Sequence, residues 1–353
     1  MIANRFAAED ARPADAEAEA PAPASLRPAR KALFISWLHF SRRIASLDEH
    51  FGFDVRYLPS PVLSKWLKPF GYVKQTWGMA RAIAATRPDE VWLHCPPTFL
   101  PHLALLMKPL GGGYRIVADG HSGAWSKRWD WLPGRIWAFN HCDVVLAHNA
   151  EDRDAAIRDG VKPEKLVLLE DPPPLRLAPA RASAAAPGAP YVLTPCSFNP
   201  DEPIEVLLAA ARLAPELRFL VTGSRKRAEF NGFTRDVPAN VTFTDYLPLD
   251  EFERLLVEAN VVLGITSMEG IQLSVANEAL GVDKALVLSD TRVLRSMFGA
   301  AALMAENTPE DLAAKLREAL ARQGELEARS AALKTRRLAE WRAPAETVAR
   351  MLA

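Results

Sequence analysis

The chain has 353 residues, 49% of them hydrophobic and 24% charged, a composition typical of a soluble globular protein with about two domains. Its 43 basic and 43 acidic residues give a formal net charge of zero, so no overall positive field favours nucleic acid. The three cysteines lie far apart, outside any metal-ligand spacing, and no apolar run is long enough to span a membrane.

The first part of the chain predicts a tail followed by an α/β domain. Residues 7–29 are rich in Ala, Pro and Glu and have almost no large apolar side chains, so we expect residues 1–29 to form a disordered tail. Over residues 30–171, apolar runs alternate with helix-like segments, which predicts a parallel sheet built from βαβ units. The predicted strands are 31–35, 54–58, 91–94, 114–118, 143–147 and 166–169. The first predicted helix begins after Arg43 and ends at about Glu49, and the others cover 71–86, 98–107, 132–140 and 151–159.

The second part of the chain repeats this alternation after a change in composition. Residues 172–190 are rich in Pro and Ala and predict a linker, and 191–335 predict a second α/β domain. Residues 336–353 predict a C-terminal helix that we expect to pack back on the first domain. The fold class expected is therefore two Rossmann-like α/β domains with a cleft between them, which is a common place for a ligand. The predicted strands are 191–195, 218–222, 241–244, 260–265, 285–288 and 301–304, and the predicted helices cover 204–213, 250–258, 272–280, the region of Val293, 309–321 and 326–353.

A basic turn follows the second strand of the second domain. There is no Gly-x-Gly-x-x-Gly after the first strand of the chain and no Walker-type phosphate loop, which disfavours a nicotinamide enzyme or an ATPase. Instead, Val221-Thr-Gly-Ser-Arg-Lys-Arg227 places Gly223 before Arg225 and Lys226. Glycine permits a close approach of the backbone and cations neutralise phosphate, so this turn predicts a diphosphate site. The alternative is an ordinary exposed basic turn.

Two neighbouring strand ends offer weaker signals for the same ligand. Ser197 follows the first strand of the second domain and offers a hydroxyl and N–H groups to the same place. Tyr246 and Leu247 follow the third strand, where their backbone groups could frame a nucleotide base. The alternative for both is an ordinary turn.

The segment 264–281 continues from a buried strand through a polar turn into a helix. N–H groups near Gly270–Leu273 would suit phosphate, and a carboxylate further along could bind both hydroxyls of a ribose. The alternative is that Glu269 caps the helix and Glu278 is only solvated. The donor-binding candidates in this segment are Glu269, Gly270, Ile271, Gln272, Leu273, Ser274 and Glu278.

The first domain carries candidates for binding an acceptor. Asp119 and His121 follow its fourth strand, and a carboxylate and an imidazole two residues apart could deprotonate or orient a sugar hydroxyl. The alternative is a turn-capping aspartate with a structural histidine.

Two further strand ends complete the acceptor side. His39, Arg42 and Arg43 follow the first strand and would suit a phosphate on the donor or acceptor, and a solvated helix start is the alternative. His94 ends the third strand, where we expect it to pack at the wall of the cleft among the acceptor-binding residues.

Two segments interleave aromatic and basic residues. This mixture suits a membrane–water interface, although about half of the tryptophans are expected in the core. It also occurs in proteins that bind single-stranded nucleic acid, which the zero net charge argues against, so no nucleic-acid partner is expected. The segments comprise Lys65, Trp66, Lys68, Phe70, Lys74 and Trp77, and Trp125, Lys127, Arg128, Trp129 and Trp131.

Taken together, the second domain resembles the nucleotide-sugar-binding half of a GT-B fold glycosyltransferase, similar to the family 4 (GT4-like) bacterial polysaccharide glycosyltransferases. The resemblance covers residues 191–321 and, less sharply, 31–169. Gly223–Arg227 resembles the family's diphosphate-binding segment, and 285–290 resembles its small apolar strand ending in Ser-Asp. The resemblance to this family implies that Glu269 binds the donor sugar and that Glu278 binds the ribose.

The sequence departs from the family pattern at two places. Eight residues separate Glu269 from Glu278, one more than usual, so either Asn277 or Glu278 could take the ribose role, and we favour Glu278. Where the family commonly has a lysine before the first helix of this domain, the chain has Asp201-Glu202-Pro203. The leaving diphosphate would then depend on other cations, and a retaining or an inverting outcome stays open.

The resemblance implies an enzyme that transfers a sugar from a nucleotide-sugar donor, most simply UDP-linked, to a lipid-linked saccharide in exopolysaccharide or capsule synthesis. Arg225, Lys226 and Ser197 would stabilise the leaving diphosphate, and Asp119 or His121 would handle the acceptor proton. No Asp-x-Asp motif lies at a strand end, so neither a metal nor another cofactor is expected.

We expect a cytoplasmic protein, peripheral at the inner face of the cell membrane. Two alternatives remain at this point. One is a nucleotide-sugar epimerase or hydrolase of the same fold, and the other is a non-catalytic nucleotide-binding partner protein.

Overall fold

A computed structural model describes residues 30–60, 67–175 and 189–353 of the chain. The chain divides into two compact units, the first comprising Met1–Glu170 with Arg342–Ala353 and the second Asp171–Trp341. The predicted tail, Lys65 and Trp66, and most of the predicted linker lie outside the described residues.

The first unit is a six-stranded parallel sheet in the order β2-β1-β3-β4-β5-β6, with helices connecting the strands. The strand order reverses between β1 and β3, and ligands of such sheets bind at this reversal, beyond the carboxyl ends of the strands. The strands are β1 Ala32–Ser36, β2 Phe53–Tyr57, β3 Glu90–Cys95, β4 Arg115–Gly120, β5 Val144–Ala147 and β6 Leu166–Leu168. The helices are α1 Arg42–Phe51, α2 Lys68–Thr86, α3 Leu100–Met107, α4 Arg135–His141 and α5 Ala150–Asp159.

The second unit is a six-stranded parallel sheet in the order β12-β11-β10-β7-β8-β9. Its order reverses between β7 and β10, as in dinucleotide-binding domains. The strands are β7 Tyr191–Pro195, β8 Arg218–Thr222, β9 Val241–Asp245, β10 Val261–Gly264, β11 Ala285–Ser289 and β12 Leu303–Ala305. The helices are α6 Ile204–Leu213, α7 Arg225–Phe230, α8 Leu249–Glu258, α9 Ser274–Gly281, α10 Arg292–Phe298, α11 Pro309–Ala321 and α12 Gln323–Met351.

Burial on both faces explains why the strands are continuous apolar runs. Every residue of β3, β10 and β11 is buried, as expected where helices cover both sides of a parallel sheet. In the second unit, two hydrophobic clusters share the strands, one containing Val261 and Leu263 and the other Val262. These sheets confirm the predicted α/β class with two Rossmann-like domains.

The structure differs from the predicted elements at several helix starts, of which three bear on the proposed sites and surfaces. The basic turn after β8 continues into a short helix, α7, because the Ser224 hydroxyl accepts a hydrogen bond from the N–H of Arg227 and caps it. Helix α2 begins at Lys68, three residues earlier than predicted, since a proline is tolerated in a first helical turn. Helix α9 begins at Ser274, two residues later than predicted.

Among the described residues, no helix is both long and apolar enough to cross a membrane.

Candidate active site

Three neighbouring strand ends of the first unit bring polar side chains together around Asp119. His94 in β3 lies opposite Asp119 in β4, and His148 follows β5, which pairs with β4 on its other side. The carboxylate of Asp119 is fully buried. The Nε of Arg43, from α1, donates to its two oxygens at 3.1 and 3.0 Å, and Nη2 donates to Oδ1 at 2.8 Å. A buried carboxylate therefore lies at this edge of the sheet with a guanidinium as its partner.

His148 provides a second donor to the same carboxylate. Its Nε2 lies 3.0 Å from Asp119 Oδ1, and an ionised carboxylate only accepts, so this nitrogen carries the proton. Both partners of Asp119 are themselves buried. The Asp119 carboxylate is thus held inside the protein by two donors.

His121 is the least buried member of the cluster, with 28% of its side chain accessible, and its Nε2 is shielded from solvent. Its Nε2 lies 3.7 Å from Asp119 Oδ2, which is too long for a hydrogen bond. Its ring lies between those of His94 and His148, with centroids at 4.0 and 3.8 Å. Packing between two imidazoles therefore holds the ring of His121.

The electrostatics of the cluster separate the two candidate groups. Burial alone would raise the pKa of Asp119, but the charges of Arg43 and His148 outweigh it and hold that pKa well below its ordinary value. Burial holds the pKa of His121 well below its ordinary value, and His148 and His94 add to this effect. At neutral pH the cluster thus combines an ionised, paired Asp119 with a neutral His121.

The remaining acceptor candidates divide into exposed and buried groups. His39 is exposed, whereas Arg42 is half-buried with its guanidinium 5.4 Å from the ring of Phe40. Arg43 is buried, and besides Asp119 it binds the carbonyl of Leu169 at 2.9 Å. Of the two arginines considered for a phosphate, Arg43 is thus engaged by groups of the protein.

His94, Asp119 and His121 could also be read as metal ligands, since they place one ligand atom each within 4.8 Å of the others. The guanidinium of Arg43, however, occupies both oxygens of Asp119. A cation bound there would meet a positive charge beside its carboxylate ligand. The donor set fits a hydrogen-bonded charge network better than a metal centre.

In the second unit, the loops after β7 and β10 meet at the reversal of strand order. Glu202 accepts hydrogen bonds from the N–H groups of Ser197 and Asn199, each at 3.0 Å. Asp201 accepts from the Thr266 hydroxyl at 3.0 Å. Asp201 therefore ties the loop after β7 to the loop after β10, whereas Glu202 closes the loop after β7 on itself.

The turn after β8 requires glycine at position 223. Gly223 has φ of +131°, a conformation that L side chains rarely adopt. A Cβ atom there would lie 1.9 Å from the carbonyl oxygen of Cys196, a clash with the backbone of the adjacent β7 loop. The glycine lets the two loops approach closely, and Arg225 and Lys226 follow it, exposed in the first turn of α7.

Arg227 is a further cation at this edge that was not among the predicted site residues. Its Nη2 donates to the side chain of Asn199 at 2.8 Å, which links α7 to the loop after β7. Its place in the same basic run was a signal, but the bond to Asn199 depends on the approach of two loops. The Nε of Arg225, by contrast, lies 3.3 Å from Oε1 of Glu229 on its own helix.

Asp245 occupies N–H groups of two candidate segments. Its Oδ1 accepts from the N–H of Arg225 and from that of Tyr246, both at 2.9 Å. The side chain of Tyr246 is exposed and Leu247 is half-buried. The backbone of this turn therefore already carries a carboxylate where an anion would bind.

Glu269 caps a helix, but a different one from the helix considered in the sequence. Its Oε2 accepts from the N–H of Arg292, the first residue of α10, at 3.0 Å. Gly270 next to it has φ of +76° and completes the turn toward α9. The other turn candidates, Ile271, Gln272 and Leu273, are half-buried, and Ser274 is exposed.

Within this turn, both amide atoms of Gln272 are shielded from solvent and have no hydrogen-bond partner among the described residues. Unpaired buried groups of this kind are costly unless a ligand or water satisfies them. Glu278 lies in α9 and is 7% exposed. The neighbouring Asn277 accepts from Nη1 of Arg337 in α12 at 2.7 Å. Asn277 is therefore used in packing the helix.

The aromatic residues of the two basic–aromatic segments are split between surface and core. Phe70 and Trp77 on α2 are both 71% exposed. Trp125 is buried and packs on Phe139 with ring centroids 5.1 Å apart, so it is one of the tryptophans that lie in the core. It follows a strand end, where the chain turns back onto the core.

Comparison with known protein families matches both halves of the chain. Residues 42–172 match a family described as a glycosyl transferase 4-like domain. Residues 202–352 match a family described as glycosyl transferase-like. No curated protein sequence matches the chain significantly.

Solved structures of similar fold cover nearly the whole chain at low identity. HepE from Anabaena, solved with UDP and glucose, has a TM-score of 0.65 and 11% identity, covering 91% of this chain and 100% of its own. Sucrose-phosphate synthase from Thermosynechococcus elongatus has a TM-score of 0.66 and 15% identity, covering 91% and 98%. A Listeria monocytogenes protein assigned as a UDP-N-acetylglucosamine 2-epimerase has a TM-score of 0.54 and 14% identity, covering 85% and 90%. At these identities, the likeness establishes a shared fold.

Proposed function

The chain belongs to the GT4-like glycosyltransferases of the GT-B fold, and on that premise we propose that it transfers a sugar from a UDP-linked donor to a lipid-linked saccharide. The predicted family and enzyme class are thereby confirmed. The proposal extends them to the nucleotide, the acceptor and a role in exopolysaccharide- or capsule-type synthesis.

The observation that carries the donor proposal is the glycine-bounded turn after β8. Only glycine fits at position 223, and Arg225 and Lys226 follow it directly, beside the loop that contains Ser197. Close backbone approach and adjacent cations are what a diphosphate requires. Arg227, bound to Asn199, adds a third cation to the same edge.

The choice of UDP and of the ribose ligand rests on two further observations. HepE, of the same fold, was solved with UDP and with UDP-glucose. Because Asn277 is hydrogen-bonded to Arg337, we assign the ribose hydroxyls to Glu278 and the donor sugar to Glu269. The half-buried amide of Gln272 would gain its missing hydrogen bonds from the same ligand.

Glu278→Gln tests the donor site, since it keeps the shape of the side chain and removes its charge. We expect UDP to bind more weakly by about 1.5–3 kcal/mol, the usual value of a hydrogen bond to a charged group. This is roughly a 10- to 150-fold rise in Kd, measured by titration calorimetry. Glu251→Gln, on the exposed side of α8, is the matched control and should bind UDP like the native chain. Equal affinities of all three proteins would remove Glu278 from the site.

The acceptor side of the proposal rests on His121. It is the least buried imidazole of the cluster in the first unit and is neutral at pH 7, so we assign it the proton of the acceptor hydroxyl. Asp119, fully buried and paired with Arg43, is assigned to holding the cluster, and His39 and Arg42 keep the role of acceptor contacts.

The epimerase or hydrolase alternative keeps some support from the similar fold of the Listeria protein. An epimerase or hydrolase consumes the donor when no acceptor is present, whereas a transferase needs both. Following UDP-sugar turnover with and without a membrane extract as the source of acceptor separates the two. Turnover at equal rates in both reactions would contradict the transferase assignment for this pair of substrates.

We also propose that the exposed face of α2 attaches the protein to an anionic membrane surface. Phe70, Val73 and Trp77 are exposed on this face together with Lys74 and Arg81, at the spacing of successive helical turns. Helix α2 contains no acidic residue. Aromatic rings and cations on one helix face suit the membrane–water interface.

Replacing Lys74 and Arg81 by alanine is expected to weaken binding to vesicles that contain phosphatidylserine. Each cation near such a surface contributes about 1 kcal/mol, so the double variant should bind roughly 30-fold more weakly in a sedimentation assay. Added salt should weaken binding of the native chain in the same direction. Lys226→Ala with Arg225→Ala, on the other unit, removes the same charge and serves as the matched control. If both double variants sediment like the native chain, α2 is not the membrane contact.

A further inference from the structure

Beyond the proposed roles of His121 and Asp119, the cluster contains a third group that neither role explains. His148 follows β5, is buried, and donates its Nε2 proton to Asp119 at 3.0 Å. Asp119 already has the guanidinium of Arg43 on both of its oxygens, and His148 adds a second partner. The same bond anchors the His148 ring in one orientation and one tautomer.

The anchored ring of His148 bears directly on His121. The two ring centroids are 3.8 Å apart with the planes at 65°, an edge-to-face contact. His94 packs on His121 with centroids 4.0 Å apart. Among the described residues, Nε2 of His121 has no hydrogen-bond partner, and Asp119 Oδ2 lies 3.7 Å from it, so no hydrogen bond to a carboxylate orients the ring through this nitrogen.

We propose that His148 is a positioning residue for His121, with Asp119 fixing the ring of His148 and that ring fixing the imidazole that receives the acceptor proton. In the familiar arrangement a carboxylate orients the base by a direct hydrogen bond. Here the carboxylate of Asp119 orients His148 by a hydrogen bond, and the ring of His148 orients the base, His121, by packing against it. This inference rests on the proposed role of His121.

His148→Ala removes both the ring contact and the bond to Asp119. We expect kcat to fall about 10- to 100-fold, the usual cost of misplacing a catalytic group by a fraction of an ångström to an ångström, with the KM for the donor unchanged. In a His121→Ala background the same change should have no further effect, because His148 acts through His121. An equal fall in both backgrounds would show a general structural role and overturn the proposal.

Two other substitutions at position 148 separate the hydrogen bond from the ring, and they cover the case in which His148→Ala fails to fold. His148→Gln keeps a donor for Asp119 but lacks the ring, so its kcat should fall like that of the alanine variant. His148→Phe keeps a ring against His121 and should retain more activity than His148→Gln. The reverse order would overturn the proposal. His141→Ala, an exposed histidine on α4, is the control and should have native kcat.

A spectroscopic measurement keeps the inference testable if the donor or the acceptor has been assigned wrongly. The imidazole C–H signal of His121 in NMR, assigned with the His121→Ala variant, should shift and broaden in His148→Gln and stay unchanged in His141→Ala. No substrate is needed, so an absence of sugar transfer would count against the proposed function alone. An unchanged His121 signal in His148→Gln would overturn the positioning role.

Discussion

Arg43→Met is expected to lower the free energy of unfolding of the first unit by about 3–5 kcal/mol, the range seen when one partner of a buried ion pair is removed. The Asp119 carboxylate is fully buried, and Arg43 provides most of its hydrogen bonds and its only guanidinium among the described residues. Without Arg43 the charge stays in the interior with His148 as its remaining described partner. Urea unfolding followed by tryptophan fluorescence measures the loss.

A matched control and a compensating variant test whether the loss of stability in Arg43→Met comes from the buried ion pair. Arg115→Met breaks an exposed ion pair with Asp143 in the same unit and should cost at most about 1 kcal/mol. Arg43→Met combined with Asp119→Asn removes the unpaired charge and should recover much of the lost stability. If Arg43→Met cost no more than Arg115→Met, the buried pair would not be a structural element.

The same pair sets the direction of the pH dependence. In the native chain the pKa of Asp119 lies well below its ordinary value, although burial opposes this, because of Arg43 and His148. A depressed carboxyl pKa stabilises the fold above the unfolded value of about 3.9 and loses this contribution as the pH falls toward the folded value. In Arg43→Met, protonation of Asp119 removes the unpaired charge, so the deficit against the native chain should shrink on acidification.

His121→Ala is expected to lower kcat by about 10²- to 10⁴-fold, the usual contribution of a positioned general base. His121 is the least buried imidazole of the cluster, whereas the side chain of Asp119 is fully buried. UDP binding to the second unit should be unchanged in calorimetry, which separates loss of chemistry from loss of donor. His141→Ala again serves as the control.

The pH profile of the native enzyme gives an independent check on His121. A base acts in its neutral form, which is present above its pKa and lost below it. Burial, with His148 and His94, holds the pKa of His121 well below its ordinary value. The rate should therefore stay constant as the pH is lowered to about 6.5 and fall only below that. An acid limb centred above about 6.5, or a kcat of His121→Ala within a few-fold of native, would contradict the assignment.

Local signals predicted the fold well because they depend on neighbours in the chain. The apolar runs of β3 and β10 indicate strands buried on both faces, and the structure buries every residue of both. Gly223 after β8 indicated a tight approach, and its positive φ and contact with the Cys196 carbonyl explain why glycine stands there. The family resemblance arose from these same local segments.

The helix after Gly223 and the function of the acidic pair before α6, Asp201 and Glu202, were harder to predict from the sequence. The capping of α7 by Ser224 was available in the sequence, since serine before a helix is a known start signal, but the run of three cations drew the interpretation toward a turn. In the sequence, Asp201 and Glu202 were noted only because they stand where the family commonly has a lysine. The hydrogen bond between Asp201 and Thr266 depends on two loops that meet only when the sheet forms, whereas Glu202 bonds to the N–H of Ser197 within its own loop.

The sequence by itself determined the two parallel α/β sheets, the glycine turn, and the enzyme family, because strand burial, backbone conformation and short motifs are local properties. Only the tertiary structure decided which charged groups are paired. Arg43 and Asp119 are 76 residues apart and looked equally available for a substrate, yet they bind each other. His148 follows β5 as Asp119 lies at the end of β4, so the search for polar residues at strand ends that found Asp119 applies to it as well. That Asp119 is its partner, however, depends on β5 lying beside β4 in the sheet. Burial makes an unpaired charge costly, so the pairing of charges follows from packing across the sheet, and this pairing is the reason that we propose His121 rather than Asp119 as the base.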